Sequence, residues 1–266
     1  MQMLLLITLF SGATTHDGAR IVMGRQQCNF LSHSADKAFA FPDYRNNGYT
    51  QKVVHQNGAN HITVQVRNSQ LASKMKARRV PPLPEGLRGL ERELNQAGGG
   101  RLADQVSVLI HWVRREIAWE AQSAAEDQSP AGVTSRRAAN CVGLSNLTLY
   151  VLDRMGVEAR YVTGIAFKQE DSVKLHLKGN VLHRWVEIRY DDVGWVFCDP
   201  AGKVNFVDAT YMVLGVQDLH PLPELLEMAV DTQIELLRFS NGFKTVGSLA
   251  GLDSRIRVRP NRLFIP

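Results

Sequence analysis

The chain has 266 residues, 44% hydrophobic and 21% charged, enough apolar mass for a full core without disulfides and too few polar tracts for wholesale disorder. Its formal net charge is +5, but the basic residues are scattered; Arg78-Arg79, Arg114-Arg115 and Arg136-Arg137 read as solvated faces, so no nucleic-acid partner is expected. Cys28, Cys141 and Cys198 lie far apart without a CxxC pair, which argues against a disulfide framework or a zinc knuckle and leaves at least one thiol free.

The first residues leave two readings open. Met3 to Phe10 is apolar and Ser11-Gly12-Ala13 offers a small-x-small cleavage sequence, but no Lys or Arg precedes the run as a secretory leader requires. Residues 1–20 are therefore a signal peptide or a first strand, and an exported (periplasmic) and a cytoplasmic location stand level. The run is shorter than the about 20 residues that span a bilayer, so no stable membrane anchor is expected.

Residues 14–50, rich in Gly, Asn, Ser and His, read as loop with short strands. Gln51–Gln56 and His61–Arg67 flank Asn57-Gly58, a hairpin signal. In the second run Ile62, Val64 and Val66 alternate with polar residues, giving one apolar and one wet face. Val80-Pro81-Pro82-Leu83-Pro84 is a stiff connector that closes an N-terminal β-rich segment, residues 21–85.

The core is expected over 86–215. Leu102, Val106, Leu109, Val113 and Ile117 recur at threes and fours and predict an amphipathic helix, with Trp112 and Trp119 on a neighbouring face and His111 structural or exposed. Gln122 to Arg137, with Ser129-Pro130, reads as a loop. Asn140 is a good N-cap, placing Cys141 at the first position of a second helix that runs to Met155 and stops at Gly156. Three strands follow, Ala159–Phe167, Val181–Tyr190 and Trp195–Asp199, the last two antiparallel across Asp191-Asp192-Val193-Gly194. Residues 216–266 are expected to hold an amphipathic helix, Glu224–Arg238, and an exposed end with Arg255, Arg257, Arg259 and Arg262.

A cysteine in the first turn of a helix feels the positive end of the dipole and faces unpaired N–H groups. Both favour the thiolate, and the same N–H groups can stabilise an oxyanion. Period-two alternation puts His183, Trp185 and Glu187 on one strand face, and Trp195, Phe197 and Asp199 on one face of the next. If the two faces coincide, Asp199 can orient His183 toward Cys141, while Cys198 points away as a small hydrophobe.

From about Val108 to Gly202 the sequence resembles the transglutaminase-like superfamily of papain-fold cysteine enzymes. The resemblance rests on the Cys141 helix, Gly156-Val157-Glu158-Ala159-Arg160, His183-Arg184-Trp185-Val186-Glu187 and Trp195-Val196-Phe197-Cys198-Asp199-Pro200. It implies an α+β fold with a papain-like, transglutaminase-like core: a helix bearing the cysteine packed on an antiparallel sheet bearing His and Asp, preceded by the N-terminal β-hairpin element. It also implies Cys141 as nucleophile, His183 as general base and acid, and Asp199 as orienting carboxylate. Asn140 and Trp185 are candidates for the substrate-binding wall. Two departures, Ala139 for the usual Gly and Arg184 for a small residue, bear on substrate fit more than on chemistry.

The expected activity is cysteine-dependent acyl transfer on peptide or glutamine carboxamide bonds of a protein or peptide substrate, with no cofactor and no metal. Hydrolysis is set slightly ahead of cross-linking because the chain is modest in size and shows no obvious calcium-binding loop. The alternative is a non-catalytic transglutaminase-fold binding module. A metal-dependent hydrolase using His176, His183 and Cys198 fares worse, for want of HExxH or tight ligand spacing.

Overall fold

Alternating strands and three-four spaced helices sort the apolar side chains onto the two faces of a central sheet. The computed structural model describes residues 19–34, 41–67, 71, 73–120, 126–166, 174–176, 182–216, 232–239 and 242–248. In chain order the elements are β1 (Ala19–Arg25), β2 (Gln27–Ser34), β3 (Tyr44–Asn46), β4 (Tyr49–Gln56), β5 (Ala59–Val66), α1 (Arg88–Gln96), α2 (Leu102–Glu116), β6 (Ala118–Trp119), α3 (Pro130–Arg136), β7 (Ala138–Ala139), α4 (Cys141–Arg154), β8 (Ala159–Ala166), β9 (Lys174–His176), β10 (Leu182–Tyr190), β11 (Gly194–Cys198), β12 (Tyr211–Val216), β13 (Thr232–Phe239) and β14 (Gly242–Ser248).

The central sheet is antiparallel, in the order β11-β10-β8-β12. One face packs on the helices: Val186, Ile188, Tyr190, Val196 and Cys198 join Leu90, Leu102, Val106, Leu109, Leu144 and Leu147 in one core. The other face packs on a six-stranded sheet, β3-β4-β5-β2-β13-β9, where Trp185, Phe197, Tyr211 and Val213 meet Phe30, Tyr49, Ile62 and Val64. Helices, central sheet and second sheet are thus three layers around two cores, the α+β architecture expected. Each fully buried Leu or Val contributes about 1.5–3 kcal/mol relative to an exposed one, so both faces of the central sheet are firmly specified.

The hairpin at Asn57-Gly58 forms with both turn residues at positive φ, 52° and 74°. It is not an isolated element. Its strands continue through β2 to β13, joining segments from the two ends of the chain. Residues 14–50 hold more strand than expected, including the eight-residue β2. On α2 the predicted stripe is buried from Leu102 to Val113, and Ile117 follows as the C-cap. Trp119 does not share that helix; it sits in β6, pairing in parallel with Ala139, two residues before Cys141.

Three expectations are corrected. Ser129 and Pro130 open the helix α3 rather than a loop: the Ser129 hydroxyl accepts the Gly132 N–H, and proline at N1 has no N–H to waste. Helix α1, carrying buried Leu90 and Leu94, lies in a stretch where none was expected. The helix expected over Glu224–Arg238 is a strand from Thr232 on, paired with β2 and β9. The run Met3–Phe10, residues 224–231 and the arginines from Arg255 to Arg262 lie outside the described residues. Among the described residues no helix is long and apolar enough to cross a membrane.

Candidate active site

Asn140 decides where α4 begins. Its backbone is extended, with φ −92° and ψ −170°, and its side-chain oxygen accepts the N–H groups of Val142 (2.9 Å) and Gly143 (3.3 Å). Cys141 is therefore the first helical residue, half-buried at the positive end of a four-turn helix. Gly143 permits the close approach of this turn to its surroundings, because a Cβ there would strike the side chains of Gln128, Ala139 and Val133. Ser145, one turn on, donates to the Arg184 carbonyl at 3.2 Å and fastens α4 to β10.

His183 is buried in β10, opposite Gly164 of β8. Its ring lies against the Trp185 indole, centroids 5.9 Å apart and planes 25° from parallel. Gly164 makes room for that indole, since a Cβ would collide with Trp185 and with the Met212 carbonyl. Nε2 of His183 lies 2.9 Å from Asp199 Oδ2, as a protonated Nε2 donating to the carboxylate requires. The other ring nitrogen is left for Cys141, whose thiol hydrogen-bonds the His183 side chain and the Arg184 backbone N–H.

Asp199 ends the β11 run, 1% exposed, and every donor around it favours its charge. Oδ1 accepts the Ala201 N–H at 2.9 Å, and Oδ2 accepts His183 and, at 2.6 Å, the hydroxyl of Tyr211 on β12. Tyr211 was not visible in the sequence; a lone tyrosine opening an apolar strand carries no chemical signature.

Burial opposes the charge on all three groups, and mutual contacts outweigh it. Burial alone would raise Asp199, but the His183 cation and the hydrogen bonds from His183, Tyr211 and Ala201 hold it below the usual carboxylate range. Burial alone would lower His183, but the Asp199 charge and the bonds to Asp199 and Cys141 push it up to about 10. Burial alone would raise Cys141, but hydrogen bonding and charge from His183, with the Arg184 N–H, bring it below the ordinary thiol value. A lowered thiol beside a raised imidazole favours transfer of the Cys141 proton to His183.

The structure brings Cys141, His183 and Asp199 into one hydrogen-bonded line. It does not put Asn140 and Trp185 on a substrate wall. The Asn140 carboxamide caps α4, and Trp185 is fully buried behind the His183 ring. Glu187, on the same face, is buried in a pair with Arg160. Arg184 is buried as well, its guanidinium 5.1 Å from the Tyr161 ring centre. Cys198 belongs to the helix-side core, away from His183, and burial pushes its thiol up to about 12. It therefore cannot join His183 in a metal site. An open groove of about 690 Å³ runs along α4 past Asn146, Tyr150 and Asp153; the three aligned residues do not line it.

The model of the Transglutaminase-like superfamily matches residues 88–200. No curated protein matches the chain. Among solved structures, a protein assigned as a cysteine protease from Cytophaga hutchinsonii is 12% identical, with 88% of this chain and 90% of that one covered at a TM-score of 0.41. The ethylmercury-bound periplasmic domain of TgpA from Pseudomonas aeruginosa is 16% identical, with 68% and 75% covered at 0.41. Red sea bream transglutaminase is 10% identical, with 71% of this chain and 47% of that one covered at 0.29.

Proposed function

Residues 88–200 are a transglutaminase-like domain, that of a cysteine peptidase or transglutaminase-like enzyme, and from that premise we propose that Cys141, His183 and Asp199 carry out acyl transfer on peptide or glutamine carboxamide bonds. One observation carries the reading. The half-buried thiol at the start of α4 meets His183, whose other nitrogen is 2.9 Å from a buried carboxylate.

The Cys141 thiolate adds to the carbonyl carbon, and the carbonyl π electrons move onto oxygen. The Asn140 carboxamide takes the N–H groups of Val142 and Gly143, which leaves the backbone N–H of Cys141 itself, at the first helical position, to receive that oxyanion. As the C–N bond breaks, protonated His183 gives its proton to the leaving amine, and the acyl group remains on Cys141 as a thioester. Water or a second amine then attacks the thioester, yielding a proton to His183. Loss of sulfur from the tetrahedral adduct releases acid or new amide and restores the thiolate–imidazolium pair. Asp199 holds the imidazole ring throughout and takes no proton.

Hydrolysis is placed ahead of amine transfer, on a protein or peptide substrate and without a cofactor. The test is a panel of glutamine-containing peptides with and without a primary amine, read by mass for deamidation, cleavage or amine adduct. Wild type should give one of these products and Cys141→Ala none. Turnover by neither protein, with peptide still bound, would replace this reading with that of a binding module.

A further inference from the structure

We propose that Tyr211 is a positioning residue of this site: its hydroxyl donates to the same Asp199 oxygen that receives His183, fixing that carboxylate and setting how tightly His183 holds its proton. The inference rests on the thiol–imidazole reading above.

Tyr211 lies outside the matched segment 88–200, yet it reaches the site from β12 with its hydroxyl 2.6 Å from Asp199 Oδ2. Both residues are essentially inaccessible to solvent. Its ring stands edge-on to His183 at 6.0 Å and to Trp185 at 5.3 Å, so it braces the carboxylate and the imidazole together. The strand that carries it is clamped from behind by the second sheet. Tyr49 donates its hydroxyl to the Tyr211 carbonyl at 2.7 Å, and the Gln51 amide bonds both the N–H and the carbonyl of Val213 at 2.8 Å. The N-terminal hairpin thereby gains a part in the chemistry of the core.

A buried tyrosine hydroxyl needs an acceptor, so the contact alone would suit mere satisfaction of Tyr211. Its place on Oδ2 separates the two roles. A carboxylate oxygen shared by two donors attracts the imidazolium less than one given to His183 alone, so removing the hydroxyl strengthens the hold on the His183 proton. Among the described residues, the charged or titratable groups near this line include Cys141 on α4, Arg184 beside His183, Arg114 on α2, and Lys203, which pairs with Asp208 and lies 5.6 Å from the Tyr211 ring centre. Tyr211→Phe leaves all of them in place.

The measurement is imidazole NMR of His183 against pH in the full chain, the signal assigned by its loss in His183→Gln, beside the pH midpoint of Cys141 alkylation. In Tyr211→Phe the His183 step should move up by about one unit. Site-specific 3-fluorotyrosine at 211, a stronger donor of nearly the same volume, should move it down, which keeps the test open if Tyr211→Phe does not fold. A His183 step unmoved by either replacement, with the wild-type thiol midpoint depressed, overturns the role of Tyr211 alone. A wild-type midpoint at the free-thiol value of about 8.5 overturns the thiol–imidazole reading and this inference with it.

Discussion

Arg160 of β8 stands directly opposite Glu187 of β10, and its guanidinium reaches the Glu187 carboxylate at 2.8 Å. Glu187 is fully buried, and its remaining acceptor capacity is filled from β3 by the Tyr44 hydroxyl at 2.7–2.8 Å and the Asn46 amide at 2.7 Å. One carboxylate thus ties the central sheet to the second sheet. Removing it would leave Arg160, Tyr44 and Asn46 competing for an acceptor that has gone. Glu187→Ala should cost about 3–5 kcal/mol of stability. Urea unfolding checks it, and a loss below about 1 kcal/mol would mean the pair is dispensable.

Alkylation of the native chain should be confined to one thiol. Cys198 is buried with its thiol pushed up to about 12, Cys28 is fully buried, and Cys141 alone is partly open with its thiol lowered. Iodoacetamide should label Cys141 with a midpoint below the free-thiol value of about 8.5. His183→Ala should slow the reaction at pH 7 by about tenfold or more. The expected observable is one modified cysteine by mass; equal rates in the two proteins would remove His183 from the thiol's surroundings.

The same contacts fix the sign of a stability effect. His183 is raised in the folded state, to about 10, from about 6.5 unfolded, so its contribution is fully present below 6.5 and disappears as pH rises through 10. Asp199 is depressed, so its contribution is present above its unfolded value near 3.9 and disappears as pH falls through its lower folded value. The Asp199–His183 pair should therefore stabilise the fold most between about pH 4 and 6.5. Replacing His183 with Gln should flatten the alkaline side of a denaturation series run from pH 6 to 10. An unchanged slope there would rule the pair out as its source.

What was legible in the sequence is what short-range patterns encode. Asn140 before Cys141 marks a helix start, and Asp191 to Gly194 marks a turn, with Gly194 at φ 85°. Alternation then sets the faces of β10 and β11, because a side chain's face depends only on its own strand. Pairings between distant segments were not legible. Nothing near Gln27–Ser34 indicates that its partner is Thr232–Phe239, and the residues after Glu224 fit a helical period as well as a strand one until β2 supplies the other half of the ladder. Ile234, opposite Ser32 of β2, is fully buried, while Leu237, at the register shift between Leu236 and Arg238, is half exposed. Ser129-Pro130 was ambiguous in a different way, since the same dipeptide opens turns and caps helices. Tyr211 required both kinds of information, its own strand and the sheet behind it.

The Asn140 cap should be separable from the chemistry. Its carboxamide serves two backbone N–H groups, so Asn140→Ala should cost about 1 kcal/mol, while Asn140→Asp, which keeps the acceptor oxygen, should cost less. The added negative charge beside Cys141 should raise the thiol midpoint in Asn140→Asp, because like charge disfavours the thiolate. Thermal melts read the first effect and alkylation against pH the second. A midpoint unmoved by the aspartate would place the thiol out of reach of the cap.

Gly164 offers the most direct test that the packing behind His183 matters to its chemistry. The residue sits opposite His183 in the ladder, and its missing side chain is the space into which the Trp185 ring is packed against the β12 backbone. In Gly164→Ala the new methyl would strike both the indole and the Met212 carbonyl, and only the indole belongs to a side chain that can move. Overpacking of this kind costs about 1–3 kcal/mol. Trp185, which lies against the imidazole, would be pushed toward His183 and lengthen the contact with Asp199. The variant should therefore lose stability and also move the pH midpoint of Cys141 alkylation up toward the free thiol, because a displaced imidazolium stabilises the thiolate less. Trp185→Phe in the same background frees volume and should recover part of both effects. Loss of stability with the midpoint in place would confine Gly164 and Trp185 to the core and detach them from the tuning of the thiol.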